Sequence, residues 1–138
     1  MSSPLYDKGM ALRRKILGEK HIRSREASGD AFTTAQYRLS TEVAYGMIWS
    51  RPGLPLKIRS LVTIAMLTAQ DRHDELKGHI LGALNNGATP EEIYEVFVQA
   101  AGYCGLPASN GAVRLFVQVL REQGLLQAKD GRRKGPGA

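Results

Sequence analysis

Cysteine is nearly absent: Cys104 is the only one among 138 residues. A lone cysteine excludes an intrachain disulfide, a CxxC redox pair and a cysteine-rich zinc site. Aromatic residues are scarce at 7%, and they assemble into no RNA-binding motif; zinc-finger spacing and a recognition-helix pattern are missing too. No run reaches the roughly 18 apolar residues of a membrane span. The opening MSSPLYDKGMALRRKILG has charges interrupting every apolar stretch, so it does not read as a signal peptide, and a cytoplasmic location is expected.

Acidic residues are also in the minority, 13 against 19 Lys and Arg, for a formal charge of +6. Much of the excess sits at the two ends, in RRK at 13–15 with Lys20, Arg23 and Arg25, and in the tail KDGRRKGPGA. Without a nucleic-acid motif beside it, this charge favours small anionic ligands over nucleic acid. The length suits one domain with a real core. The expected boundaries are a helical domain over 1–124 and a basic, disordered tail over 125–138.

What remains is helical punctuation. Leu5, Met10, Leu12, Ile16 and Leu17 recur with helical spacing up to Gly18. Residues 19–33 show no periodicity and are expected to form a long loop or ordered arm. A helix is expected over 34–50, with Tyr37, Val43, Met47 and Ile48 on its apolar side, ended by RPGLP at 51–55. The next segment, 55–70, is apolar nearly all round, which places it in the core or at a subunit interface. A helix over 72–86 ends at Gly87. Thr89, Pro90 and Glu92 form a capping box at the start of another. A last helix covers about 107–123. No strand pattern competes, so the expected fold is all-α with about six helices.

In the helix over 72–86, a wheel of about 100° per residue gathers Leu76, Ile80, Ala83 and Leu84 in one sector. Arg72, Glu75, His79 and Asn86 border it, while Asp74, Lys77 and Asn85 face the far side. A border histidine can look into a cleft while its helix packs on the core, and imidazole titrates near neutrality. A satisfied, half-buried structural histidine fits the same position. His73 points away from His79, and His21 falls in the irregular segment. Spacing gives no metal site.

Three stretches, RSLVTIAML, DELKGHILGALNNGATPEEI and AAGYCGLPASNGAVR, resemble the carboxymuconolactone decarboxylase family. YDKGMALRRKILG and TEVAYGMIWSRPGL extend the likeness upstream, so that it covers about residues 6–122. The wider superfamily contains alkylhydroperoxidase D-like proteins that use CxxC with a histidine four residues later. His79 holds that histidine position, but Arg72 and Glu75 stand where the cysteines would be. A disulfide peroxidase cycle needs both thiols, so it is excluded.

The resemblance implies a lyase without cofactor or metal, acting in protocatechuate catabolism (the β-ketoadipate pathway). It would convert 4-carboxymuconolactone to 3-oxoadipate enol-lactone and carbon dioxide. On that implication His79 is the proton or oxyanion donor and Glu42 orients it or relays a proton. Arg51 and Arg59 clamp carboxylates, Trp49 walls the pocket and Asn86 reaches the ligand. Cys104 is expected to be a small buried residue without a chemical role. The partners implied are a small anionic lactone and further copies of the chain, in a trimer or hexamer, with neither nucleic acid nor membrane. The alternatives are a same-fold enzyme for another lactone or β-keto-type acid, and a non-catalytic oligomeric binding protein.

Overall fold

Ser3 accepts a hydrogen bond from the Tyr6 backbone N–H and Pro4 takes the first helical position, so α1 begins at Pro4 and runs to Leu17. The computed structural model describes residues 2–127. Beyond α1 it places α2 at Glu19–Ala27, α3 at Ala31–Ser40, a π-helical segment at Thr41–Trp49 and α4 at Leu56–Ala69. The series ends with α5 at His73–Asn85, α6 at Pro90–Cys104 and α7 at Leu106–Glu122. The all-α expectation holds, with no strand among the described residues. From residue 128 on, the expected disordered tail lies outside those residues.

The segment 19–33 corrects the sequence reading: it is a helix, a turn and the start of another helix. Apart from Ile22, α2 buries nothing. A helix with one buried position shows no apolar period, so its good helix formers carried the only signal. Asp30 then caps α3, accepting from the Phe32 and Thr33 backbone N–H groups, while the Thr33 hydroxyl receives the Asp30 N–H. That reciprocal box moves the start of α3 three residues ahead of the expected one.

A second correction concerns the face of 41–49. In the π-helical segment the i→i+5 bonding widens each turn, and Thr41, Tyr45, Gly46 and Trp49 are buried. Val43, Met47 and Ile48, expected inside, are exposed. The segment lies directly against α1 through two glycines. A Cβ on Gly9 would collide with the Thr41 carbonyl, and one on Gly46 would stand 2.7 Å from the Leu5 carbonyl oxygen. Only hydrogen at these positions lets the two backbones meet.

Two cores result. Ile64, Leu76, Ile80, Ile93, Phe97 and Phe116 centre the larger, built by α4 to α7. Ile16, Leu17, Tyr45 and Trp49 form the smaller, between α1 and the π-helical segment. The expected capping box at Thr89 and Glu92 starts α6. Asn85, expected to face water, instead donates to the Ile16 carbonyl at 2.7 Å. It thereby satisfies an orphan acceptor at the end of α1 and ties the smaller core to α5. On α4, Ile64 and Thr68 face inward while Ile58, Val62 and Met66 form an exposed apolar stripe.

Cys104, expected to be buried, is a further correction. It is exposed, because Gly105 adopts φ 92° and turns the chain at a corner where Tyr103 and Leu106 are exposed as well.

Candidate active site

His79 sits on α5 at the seam between the two cores. Its helix neighbours Leu76, Ile80 and Ala83 are fully buried in the larger one. Its ring meets the smaller core, lying parallel to the Trp49 indole at 13° with 5.9 Å between centroids. Tyr45, one turn before Trp49, continues the stack at 6.0 Å and 13°. The Nδ1 atom of His79 is buried without a hydrogen-bond partner.

These surroundings set the protonation state. Burial removes water from the imidazolium and the positive charge of Arg13 opposes it, with a smaller push from His21; Glu75 pulls weakly the other way. Together they lower the His79 pKa to about 4. At neutral pH the side chain is therefore a neutral imidazole, able to donate from one nitrogen and accept at the other. His21 is held low by burial and by Arg25 and Arg13.

Arg13 is a residue that sequence reasoning passed over, having counted it in the basic RRK run. It is 9% exposed, and its guanidinium carbon lies 3.9 Å from the Tyr37 ring centroid and 4.9 Å from that of Tyr45. Its hydrogen bonds all leave from one nitrogen, Nη1: 2.8 Å to Thr41 Oγ1, 3.1 Å to Ser40 Oγ and a long 3.5 Å to the Tyr37 carbonyl. Among the described residues no carboxylate pairs with it. Its Nε and the Tyr37 hydroxyl are buried and unpartnered. Burial raises the pKa of Tyr37 and Tyr45 despite Arg13, so both phenols keep their protons.

An open groove of about 560 Å³ runs along α1, with Trp49 as part of its wall. Lys8, Lys15 and Arg51 are the charged residues that line it, and no acidic side chain does. Trp49 thus belongs to the groove wall and to the His79 stack at once.

The remaining candidates fall around these two features. Arg51 is exposed, and its carbonyl accepts from Arg59 Nη2 at 3.1 Å. Arg59 thereby braces the turn that carries Arg51. The Glu42 carboxylate accepts from the Ser3 hydroxyl at 2.7 Å and from Arg38 at 3.4 Å, at the start of α1. Asn86 donates to the buried Ser60 hydroxyl at 2.9 Å, pinning α5 to α4. The structure therefore brings together His79 and Trp49, and Trp49 and Arg51. It leaves Glu42 and Asn86 bonded to partners elsewhere. Of the aromatics here, Tyr37 was legible through helix periodicity and Trp49 through the family resemblance; Tyr45 and the cation beside it gave no signal of their own.

The chain matches the carboxymuconolactone decarboxylase family over residues 35–118. It is 42% identical over 125 residues to the 4-carboxymuconolactone decarboxylase of Acinetobacter baylyi, covering 90% of this chain and 92% of that one. It is 40% identical over 104 residues to a nitrosuccinic acid decarboxylase of Metarhizium robertsii, covering 75% and 73%. A shorter likeness, 36% over 73 residues, reaches Peroxisomal protein 2 of Schizosaccharomyces pombe and covers 34% of it. With helices, seam and groove as described and likeness running through nearly the whole chain, this protein belongs to the carboxymuconolactone decarboxylase family.

Proposed function

We propose that this protein is a decarboxylase that removes carbon dioxide from 4-carboxymuconolactone and releases 3-oxoadipate enol-lactone in protocatechuate breakdown. The observation that carries the reading is the near full-length likeness to a relative named for that reaction. The substrate's own structure makes the chemistry feasible. Its departing carboxylate sits on a carbon conjugated through the ring double bond to the lactone carbonyl. As the C–C bond breaks, its electron pair moves into that carbonyl and forms a dienolate, which a proton at ring carbon then quenches.

The protein has to bind an anion, stabilise charge on the lactone oxygen and deliver the proton. The basic groove with Arg51, Lys8 and Lys15 attracts the substrate, and Trp49 gives its ring a flat wall. His79, a neutral imidazole at neutral pH, donates a hydrogen bond to the developing oxyanion. The negative charge that arrives with substrate favours its imidazolium, from which the proton passes to carbon. Arg59, Asn86 and Glu42 hold these parts in register through the Arg51 turn, the α4–α5 contact and the start of α1.

A second reading has its own support: the name of the Metarhizium relative. Nitrosuccinic acid offers a nitro group as the electron acceptor where the lactone offers a carbonyl, so one anionic site could serve either acid. The exposed stripes Ile58, Val62, Met66 and Val43, Met47 support assembly into a trimer or hexamer. Among the described residues no helix is long and apolar enough to cross a membrane, which agrees with a cytoplasmic enzyme. Purified protein supplied with 4-carboxymuconolactone should release carbon dioxide and enol-lactone; turnover of nitrosuccinic acid alone would favour the second reading.

A further inference from the structure

Four side-chain polar atoms among the described residues are buried without a partner, and three belong to one neighbourhood: Arg13 Nε, the Tyr37 hydroxyl and His79 Nδ1. Buried polar groups are nearly always satisfied, and each exception calls for a cause. A buried charge without a counter-charge is more unfavourable still. Arg13 is such a charge. Its neighbours are two tyrosine faces, two hydroxyls and a carbonyl.

The way its donors are divided is informative. Nη1 makes every hydrogen bond to protein. That leaves Nε and Nη2, whose N–H groups form the side-on fork that fits the two oxygens of a carboxylate. The protein holds the guanidinium by one corner and, among the described residues, leaves the fork without a hydrogen bond.

We infer that Arg13 is a substrate-carboxylate anchor, its Nε–Nη2 fork gripping the acid with help from the Tyr37 hydroxyl. The anion supplies the direct ion pair that no carboxylate among the described residues makes with Arg13, Glu26 acting on Tyr37 only through its field. Arg13 lies upstream of residues 35–118, which the family match covers, and Tyr37 lies within them, so the anchor joins α1 to the matched helices. Selection for acidic substrates then draws on α1 through Arg13 and on α3 through Tyr37. Binding there also links to the chemistry. Arg13 is one of the charges that hold His79 neutral, together with His21 from α2 and against Glu75 on α5. A carboxylate on Arg13 cancels part of that field and lets His79 take up a proton as substrate arrives.

The identity of the bound acid rests on the decarboxylase reading; the existence of the site does not. Succinate serves as a non-reacting probe and Trp49, the only tryptophan, as the reporter. Emission is followed at neutral pH against succinate, with sodium chloride of equal ionic strength as control, on wild type, Arg13→Lys, Arg13→Gln and Tyr37→Phe. In the wild type succinate produces a saturable change and raises the pH midpoint of Trp49 emission; chloride does neither. Arg13→Lys, which retains charge but loses the fork, weakens succinate binding about tenfold or more, and Tyr37→Phe weakens it less. Should Arg13→Gln fail to fold, the lysine and phenylalanine variants decide. A wild type that ignores succinate, or an Arg13→Lys protein that binds it equally well, overturns the anchor. A protein that binds succinate through Arg13 yet leaves 4-carboxymuconolactone intact keeps the anchor and loses the substrate assignment.

Discussion

The imidazole of His79 lies parallel to the indole of Trp49, 5.9 Å between ring centroids and 13° between planes. One residue comes from α5 and the other from the π-helical segment, so this stack is where the two cores meet. It shields His79 from water, and burial is the largest cause of its low pKa. Replacing the shield should return the histidine toward its ordinary value. Trp49→Leu is expected to raise the His79 pKa from about 4 toward the usual range, read from the imidazole proton shifts in an NMR pH titration. An unchanged midpoint would show that the stack does not control the titration.

Stability should carry the same signature. His79 is neutral in the folded chain down to about pH 4, whereas the unfolded chain binds that proton from about pH 6.5 downward. Between these values the unfolded state holds more protons, so stability falls as pH falls from the upper value to the lower and levels off below it. The full span is on the order of 3 kcal/mol. Urea melts at closely spaced pH values should show this slope in the wild type and a flatter one in His79→Gln.

Gly9 tests how closely α1 and the π-helical segment approach. A Cβ there meets the carbonyl of Thr41, a backbone atom that cannot swing aside, and the Thr41 hydroxyl is an Arg13 partner. Gly9→Ala should destabilise the fold by about 1–3 kcal/mol and weaken substrate binding as well. Thermal melts and KM measure the two effects. A variant with wild-type Tm would place the two backbones farther apart than described.

The basic groove predicts a kinetic effect. Lys8, Lys15 and Arg51 line it without an acidic neighbour, so kcat/KM should fall as salt screens their attraction for an anionic substrate. Arg51→Lys and Arg59→Lys should mainly raise KM, the second through the turn that Arg59 braces at the Arg51 carbonyl. Cys104→Ser, at an exposed corner, should leave turnover intact.

Helix boundaries from α4 onward were legible because proline, glycine and capping residues mark them and the apolar stripes face one core. His79 was legible for the same reason, as a polar residue bordering a clear stripe. Residues 41–49 were misread because an α-helical wheel does not describe a π-helical turn, so Val43 and Met47 stood in for Tyr45 and Trp49. The helix α2 has one buried residue, which leaves no period to detect. Arg13 was hidden differently: in sequence it is one cation in a basic run, and only the fold shows it buried between two tyrosines and paired with no carboxylate among the described residues. Asn86 and Glu42 carry side chains suited to a site, and their hydrogen bonds to Ser60 and Ser3 come from contacts 26 and 39 positions away, beyond any local pattern.

The central claim is that His79 takes part in the decarboxylation. The direct measurement is carbon dioxide release from 4-carboxymuconolactone by wild type and His79→Gln, with helical content and oligomeric state checked alongside. Glutamine has similar reach and can still donate a hydrogen bond, yet it cannot titrate. A positioned general acid contributes about 10²–10⁴-fold, so kcat should fall by at least about tenfold in a folded, assembled variant. A His79→Gln protein that folds, assembles and turns over at the wild-type rate would contradict the account, leaving His79 a packing residue at the seam.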